Sequence, residues 1–345
     1  MRAIVHAGTG GPEVLSLRDN VPDPEPGTGA VRVRVRAAGL NRADVLQRRG
    51  AYPAPAGWPA DIPGLEYAGE VQALGPGAGR WRLGERVMGL VGGGAHAELL
   101  VVHQDEVLPV PAHLGWTDAA AIPEAFLTAW DALVARGRLQ SGETVLIHAA
   151  ASGVGTAAIQ LAKLAGATVL GTSRSAAKLD QLLALGLEVP IDTSRASFRE
   201  QIGIPVHLIL DVLGGLAFAD NLELLAPRGR LVLLGFLQGP SIPAQSLEPI
   251  LRKRLEVIGT VMRTRPREER VALADAFMRQ VFPKFGPPRT PRLSLARPGR
   301  AVPDESPEEP ALRPVVHAVF PFAEIAAAHG AMERNEPVGK IVLRW

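Results

Sequence analysis

The sequence predicts an α/β protein of two domains, in which a β-rich domain is combined with a doubly wound parallel sheet. Its 345 residues exceed what one ordinary hydrophobic core organises. Short strand patterns separated by Gly and Pro fill the first third of the chain, and strand and helix patterns alternate from Thr117 onward. Hydrophobic residues at 47% and charged residues at 21% are typical of a soluble globular protein.

The composition excludes several classes of function. Lys and Arg number 37 against 35 Asp and Glu, which does not indicate a nucleic-acid-binding protein. The chain has no cysteine, which excludes disulfides, thiolate nucleophiles, iron–sulfur clusters and Cys-ligated zinc. None of the eight histidines forms an HxH or HExxH pair, so no metal site is predicted. Without a secretory signal or an apolar run of membrane-spanning length, we expect a cytoplasmic protein with no membrane partner.

The β-rich region is clearest at Ala30 to Arg36, where Val and Arg alternate strictly and predict a half-buried strand. A short helix is predicted over Asn41 to Arg48. Many short strands with turn residues between them favour a compact, barrel-like domain. The other strands expected here cover residues 1–6, 14–17, 66–72 and 86–89, with one more ending at 102.

A dinucleotide-binding motif follows. Thr144 to Ile147 reads as a buried strand, Ala149 to Gly155 as a tight turn, and the next residues as an Ala-rich helix. The N-terminus of such a helix presents free N–H groups to a pyrophosphate. Only the last glycine of G-x-G-x-x-G is present, so an ordinary tight turn is the alternative interpretation. The residues predicted to hold the pyrophosphate are Ser152, Gly153, Val154 and Gly155.

The end of the next strand predicts which cofactor is bound. This strand, over 167–174, ends about twenty residues past the turn, where NAD-specific proteins place a carboxylate on the ribose. Here the chain has Ser173 and Arg174, with Lys178 one helical turn further on. A hydroxyl and two cations suit a 2′-phosphate, so we predict NADPH rather than NADH. The alternative is that Arg174 and Lys178 belong to a solvated start of a helix.

The remaining pattern completes the sheet and returns the chain to the first domain. Strands are predicted over 208–212, 229–236 and 255–262, with helices over 117–133 (broken at Pro123), 221–225, 267–282 and 322–333. Residues 283–314 are rich in Pro, Arg and Glu and predict a flexible insertion, followed by strands over 315–320 and 339–345. We therefore assign 1–123 and 264–345 to the β-rich domain and 124–263 to the dinucleotide domain. Ligands bind at the carboxyl ends of parallel strands, which places four residues beside the cofactor: Leu213, Gly214, Gly235 and Phe236.

Several segments carry a resemblance to a known family. The order of β-rich domain, dinucleotide fold and return resembles the medium-chain dehydrogenase/reductase superfamily, with its GroES-like catalytic domain and Rossmann domain. More closely, the chain resembles the zinc-independent quinone oxidoreductases of that superfamily. Residues 49–52 and 146–161 are similar to the NADPH-dependent branch that a tumour suppressor induces in animals. The matching segments are residues 39–44, 63–69, 92–98, 120–130, 150–155 and 338–343.

This resemblance implies a reaction without zinc. Zinc alcohol dehydrogenases of the superfamily place a ligating Cys where this chain has Asn41 and a ligating His where it has Leu65. Neither residue is a usual zinc ligand, so Lewis-acid help from zinc is not expected. Reduction of an ortho-quinone fits, because the acceptor takes hydride readily and conjugation stabilises the product oxyanions. The protein would then align nicotinamide and acceptor in a dry cleft.

The resemblance also implies roles for single residues. Asn41, a predicted catalytic residue, and Thr128 are expected near the nicotinamide ribose, and Lys340 closes the cofactor site from the returning segment. Tyr52, the second predicted catalytic residue, is expected to stack on the quinone or donate a hydrogen bond to it. A surface tyrosine in a Pro-rich loop is an equally good interpretation of Tyr52.

Two aromatic residues and two departures from the family qualify these roles. Phe126 and Phe236 are expected either to line the acceptor pocket or to belong to the core. The branch carries Ala-Gly where this chain has Ser173 and Arg174, and a phosphate-binding Tyr where it has Thr193. Arg174 is therefore our candidate for the residue that binds the 2′-phosphate in place of that tyrosine.

Other functions stay open at this stage. The zinc-independent relatives include reductases of enal or enone double bonds, and a non-catalytic NADPH-binding redox sensor is a third possibility. A structural protein of the kind found in lens, or an RNA binder, belongs to the same non-catalytic class. Near-neutral charge and the absence of an Arg/aromatic repeat argue against RNA. The resemblance implies a homodimer, or a dimer of dimers, formed through the edge strand near 255–261.

Overall fold

Two large sheets organise the chain. The computed structural model describes residues 1–286 and 312–345, together with the backbone of two short strands at 293–295 and 301–303. One large sheet is seven-stranded and the other six-stranded, and two strand pairs are separate from them. The strands are β1 (Ala3–His6), β2 (Leu15–Arg18), β3 (Ala30–Leu40), β4 (Glu66–Leu74), β5 (Arg86–Leu90), β6 (Leu99–His103), β7 (Val107–Pro109), β8 (Thr144–Ile147), β9 (Thr168–Ser173), β10 (Val189–Asp192), β11 (Val206–Asp211), β12 (Leu225–Leu233), β13 (Glu256–Gly259), β14 (Leu293–Leu295), β15 (Ala301–Pro303), β16 (Val316–Pro321) and β17 (Lys340–Arg344).

The helices connect these strands and cover the parallel sheet. A π-helical turn, Asp131–Arg136, directly continues one of them, and short 3₁₀ turns lie at Pro12–Val14, Gln104–Glu106, Gly215–Ala217, Phe282–Lys284 and Phe322–Glu324. The α-helices are α1 (Arg42–Arg48), α2 (Trp116–Ala119), α3 (Pro123–Trp130), α4 (Gly153–Leu164), α5 (Ala176–Leu183), α6 (Phe198–Gln201), α7 (Phe218–Leu224), α8 (Glu248–Lys253), α9 (Arg267–Gln280) and α10 (Ile325–Glu333).

The seven-stranded sheet brings three distant chain segments to one edge. In β3 the valines are buried while Arg34 and Arg36 are exposed, as the alternating pattern predicts. At its far end, Gly39 pairs with Glu66 of β4 and Leu40 with Ile341 of β17. This register places the start of α1, the start of β4 and the start of β17 side by side.

The six-stranded sheet is parallel and doubly wound, in the order β10-β9-β8-β11-β12-β13, which confirms the predicted fold class. The strand order reverses between β8 and β11. A crevice opens at such a switch point, outside the carboxyl ends of the strands, and ligands bind there. The chain leaves β8 at this point and enters the turn before α4.

Several elements differ in extent from the sequence-based expectation. β12 ends at Leu233 rather than 236, because the next residues bond back to the end of β11: Leu234 N–H donates to Asp211 O at 2.7 Å and Leu237 N–H to Val212 O at 2.9 Å. β13 spans only Glu256–Gly259. The helical stretch expected over 117–133 forms α2 and α3 with the predicted break at Pro123, which begins α3 because proline lacks the N–H that a helix interior needs.

The two sheets share a hydrophobic core around α3. Phe126 and Leu127 of α3 belong to one buried cluster with Met88 of the seven-stranded sheet and Val145 and Leu208 of the parallel sheet. The domain boundaries at 123 and 264 stay a prediction. Of the predicted flexible insertion at 283–314, residues 287–292, 296–300 and 304–311 lie outside the described residues, while β14 and β15 pair antiparallel. Within the described ranges, no helix is long and apolar enough to cross a membrane.

Candidate active site

The turn between β8 and α4 has the features of a phosphate-binding site. Ser152 is the N-cap of α4, and its Oγ accepts a hydrogen bond from Gly155 N at 3.0 Å. Its carbonyl accepts from Thr156 N at 2.8 Å. The amides of Gly153 and Val154 have no acceptor within the helix, as is usual for its first turn, and lie next to the exposed Ser152, which also forms an isolated parallel bridge with Gly339. These donors and the helix dipole fit a pyrophosphate.

The tightness of this turn explains its small residues. A Cβ on Gly155 would lie 2.5 Å from Ala150 O, so only glycine allows α4 to pack this closely. Ala149 adopts a positive φ of 49° to enter the turn. The returning segment is attached directly to it, because Gly339 N–H donates to Ala151 O at 2.8 Å. The dinucleotide turn and the C-terminal strand thus form one surface.

A buried polar network lies beneath this turn, and no sequence motif predicted it. His148 contacts Thr172 Oγ1 through Nδ1 at 3.1 Å and Asn221 Oδ1 through Nε2 at 2.8 Å. Asn221 in turn donates to Asp211 at 3.2 Å, and Asp211 accepts from the amides of residues 213 and 214. Burial lowers the pKa of His148 and raises the pKa of Asp211. The network fixes the turn after β8 and the loop after β11 relative to each other.

The loops after β11 and β12 lie together, as their positions at the strand ends predict. Gln238 N–H donates to Leu213 O at 2.8 Å, and a Cβ on Gly214 would meet the Phe236 ring at 2.8 Å. Gly235 lies beside Val212. Phe236 is 54% exposed at this edge. Contact of these residues with a cofactor stays a prediction.

The candidate 2′-phosphate residues are placed at the end of β9. Ser173 is half-buried and Arg174 is exposed. Lys178 is engaged differently from the prediction, because its ammonium donates to the carbonyls of Asn335 and Pro337 in the returning segment. Burial, together with the charge of Arg174, lowers the pKa of Lys178. Arg174 is therefore the better candidate for an incoming phosphate.

A buried network joins Asn41, Glu66 and Lys340. Lys340 Nζ lies 2.5 Å from Glu66 Oε1, 2.5 Å from Asn41 Oδ1 and 3.1 Å from the carbonyl oxygen of Leu40. Asn41 Nδ2 also donates to Glu66 Oε1 at 3.0 Å. All three donors of the ammonium are thus used within the protein. The stem of Lys340 lies against Gly153, so this residue connects the phosphate turn with Asn41.

Glu124 is the functional candidate that the sequence analysis missed. It is the second residue of α3, where an acidic side chain is common for helix stability alone. Its backbone N–H donates to Glu66 Oε2 at 2.8 Å, while its own Oε1 accepts, among the described residues, a hydrogen bond from Thr128 Oγ1 at 3.4 Å. Burial, followed by the charge of Glu66, raises the pKa of Glu124 to about 7. Three distant segments create this environment, which no local motif reveals.

Glu124 lines a recess between the seven-stranded sheet and the segment after β13, and Tyr52 lies beside it. The Arg263 guanidinium stacks 5.0 Å from the centre of the Tyr52 ring and donates to Tyr52 O at 2.9 Å and Gly92 O at 2.7 Å. Burial raises the pKa of the half-buried Tyr52. The other lining residues are Leu65, Leu90, Val91, Gly92, Met262, Arg263 and Arg270.

The predicted pocket role of Phe126 is not supported. Its side chain is 2% exposed, and its ring packs edge-to-face on Phe285 with the centroids 4.8 Å apart. Phe126 is therefore a core residue, which is the other interpretation that the sequence allowed. Among the described residues, no group of three or more His, Asp or Glu side chains is arranged to hold a metal ion.

Comparison with known proteins agrees with this geometry. Residues 27–112 match the family described as alcohol dehydrogenase GroES-like domain, and residues 153–278 match the family described as zinc-binding dehydrogenase. A quinone oxidoreductase of Pseudomonas aeruginosa is 39% identical over 69% of this chain and 74% of its own length. The solved structure of the Coxiella burnetii quinone oxidoreductase aligns with a TM-score of 0.77 at 27% identity, over 100% of this chain and 99% of its own. That of the CurK enoyl reductase aligns with a TM-score of 0.80 at 27% identity, over 99% and 98% of the two chains.

The fold and the site together define a nicotinamide-dependent oxidoreductase of two domains. The chain belongs to the quinone oxidoreductase-like branch of the medium-chain dehydrogenase/reductase superfamily. Members of this superfamily bind a nicotinamide dinucleotide, and the turn described above fits that ligand. The narrower resemblance to the tumour-suppressor-inducible branch stays a prediction.

Proposed function

We propose that the protein is an NADPH-dependent quinone reductase that acts without zinc and favours ortho-quinones. The observation that carries this proposal is the network of Asn41, Glu66 and Lys340. Where zinc relatives hold the metal, these side chains are bonded to one another. Such a site suits an acceptor that needs little electrophilic activation. The acceptor is proposed to bind next to Tyr52 at the opening of the recess, whose own free space suits about one water molecule.

NADPH supplies the hydride when it is bound. The residues of this chain orient it: the Ser152–Gly155 turn through backbone donors, and Ser173 and Arg174 through the 2′-phosphate. The residues that follow β9 up to Lys178 include no carboxylate that would bind a ribose hydroxyl. This supports NADPH over NADH.

A double-bond reductase for enals or enones is the second candidate. The similarity to the CurK enoyl reductase structure favours it, as does a carboxyl group in the recess that retains a proton near neutral pH. A non-catalytic NADPH sensor is the third candidate. We further propose a homodimer in the cytoplasm, joined at the exposed edge strand β13, where Val257 is 39% exposed.

The test offers NADPH or NADH with an ortho-quinone and an enone in parallel, followed by nicotinamide absorbance. Arg174→Ala should weaken NADPH affinity about 10- to 100-fold and leave NADH affinity unchanged, because one charge-assisted contact is lost. Arg199→Ala, which removes another exposed arginine paired with Asp220 at 3.5 Å, is the matched control. Enone turnover alone would select the second candidate, and cofactor binding without turnover the third.

A further inference from the structure

No catalytic role has yet been assigned to the carboxyl group of Glu124, whose Oε1 accepts a hydrogen bond from Thr128 Oγ1 at 3.4 Å. Its side chain faces the recess that Tyr52 adjoins, yet no cation is bonded to it in the described part of the chain. The nearby cations are committed elsewhere: Lys340 to Glu66, and Arg263 to Gln47, Gly92 and Tyr52. Glu124 is half-buried, and a carboxyl group that is partly withdrawn from solvent and has no cationic partner retains its proton more strongly than an exposed one.

The charged and titratable groups around Glu124 come from six elements or loops. Acidic neighbours, Glu66 and Asp44, oppose its ionisation, and Lys340 favours ionisation. Arg270 of α9 lines the same recess but binds Glu106. In the described part of the chain these groups are Asp44 of α1, Tyr52 of the following loop, Glu66 of β4, Arg263 after β13, Arg270 of α9 and Lys340 of β17.

We propose that Glu124 is a catalytic acid, which donates its proton to the acceptor atom that becomes negatively charged when hydride is delivered. This inference rests on the proposed reductase function. The recess would then contain a proton donor as well as a binding surface. The proton could be donated to a quinone oxygen or to the enolate that an enone forms. A donor with a pKa near the working pH is effective in this role.

The step balances as follows. With a reduced nicotinamide cofactor bound, the acceptor would gain a hydride and its two electrons, and the cofactor would be left in its oxidised form. The O–H bond of Glu124 breaks, and the same proton forms a new O–H or C–H bond on the acceptor. Glu124 is left as a carboxylate and regains a proton from water before the next turnover.

The test compares the parent with Glu124→Gln and Glu124→Asp over a range from pH 5.5 to 9.5. The parent rate should fall above about pH 7, where the donor loses its proton. Glu124→Gln should lower kcat about 100-fold or more and leave NADPH affinity within about twofold. It should also abolish the fall of the rate above pH 7, which is called the alkaline limb of the profile below. Glu124→Asp should retain a limb with a shifted midpoint.

Two matched variants separate this role from a structural one. Glu106→Gln removes the charge of another buried carboxylate, the one that binds Arg270, and should keep the alkaline limb. Tyr52→Phe should also keep it. Loss of the limb in Tyr52→Phe, or its persistence in an active Glu124→Gln enzyme, would overturn the assignment of Glu124 as the donor.

A readout without turnover completes the test. In the cofactor-free protein, carbon-13 NMR of the glutamate carboxyl groups should show one group titrating near pH 7 that is absent from Glu124→Gln and from Glu124→Asp. If every carboxyl titrates below pH 5, the inference fails while the proposed function stands. If the parent turns over no acceptor, the proposed function fails, and the donor role fails with it.

Discussion

Lys340 and Glu66 form a buried ion pair, with Nζ 2.5 Å from Oε1 and side chains that are 5% and 0% exposed. The pair joins the last strand of the chain to β4 and lies directly under the phosphate turn, since the stem of Lys340 contacts Gly153. Both charges are compensated, because Glu66 also accepts from Asn41 Nδ2 and from the Glu124 amide. The pair thereby links the phosphate turn, Asn41 and the recess that Glu124 lines.

Breaking this pair on one side should be costly. Lys340→Met leaves the Glu66 carboxylate buried without its cation, and we expect the free energy of unfolding to fall by about 3–5 kcal/mol. The double variant Glu66→Gln/Lys340→Met should recover part of this loss, because it leaves no buried charge without a partner. Urea unfolding measures both.

The exposed pair of Lys163 and Glu188, 3.2 Å apart, is the control for the ion-pair prediction. Lys163→Met should change stability by less than about 1 kcal/mol, since solvent screens an exposed pair. Equal costs for Lys163→Met and Lys340→Met would contradict the special importance of the buried pair.

The phosphate turn gives a second prediction. Gly155→Ala places a Cβ 2.5 Å from Ala150 O, which forces α4 away from β8. We expect NADPH affinity to fall at least tenfold, because the backbone donors that hold the pyrophosphate move with the helix. Fluorescence titration of NADPH provides the measurement.

Gly79→Ala is the matched control for this change, because its Cβ would meet nothing within 4 Å. It should leave NADPH affinity unchanged. Normal NADPH affinity in Gly155→Ala would show that the turn does not hold the pyrophosphate.

Sequence patterns predicted the features that depend on neighbouring residues. The Val and Arg alternation of β3, the strand–turn–helix unit around Ser152 and the parallel order of the second sheet all follow from local periodicity. The contacts of Lys178 did not follow, because it donates to backbone carbonyls of Asn335 and Pro337, and carbonyl acceptors have no side-chain signature.

The polar interior of the site was equally hidden. Glu124 and Lys340 are separated by more than half of the chain, and only tertiary packing brings them to Glu66. The ring of Phe126 could not be assigned to pocket or core before its packing on Phe285 was known. Contacts between residues that are distant in sequence can be assigned only when the fold is known.

The edge of the parallel sheet gives a third prediction. β13 pairs on one side with β12, and no described strand covers its other side. Val257 and Val261 are 39% and 44% exposed there, and an uncovered edge strand readily pairs with a second copy. We expect a homodimer in sedimentation equilibrium, and Val257→Lys should shift it toward the monomer. Leu83→Lys, at a residue between β4 and β5 that is 65% exposed and belongs to no strand edge, should not, and a parent mass of one subunit would refute the dimer.

The raised pKa of Glu124 gives a fourth prediction, for stability against pH. The native state retains the Glu124 proton up to about pH 7, whereas the unfolded chain releases it near 4.5. Between these values the native state binds more protons, so the free energy of unfolding of the parent falls as pH rises through this window. Glu124→Gln lacks this term, and its stability relative to the parent should increase by about 1–3 kcal/mol between pH 5 and pH 8.5. Urea unfolding at both pH values measures the change.

Glu188→Gln, which alters an exposed carboxylate, should show almost no such change. A stability difference between Glu124→Gln and the parent that is independent of pH would mean that Glu124 is ionised from pH 5 to pH 8.5. The rise in its pKa that burial causes would then be cancelled by nearby positive charge, such as that of Lys340.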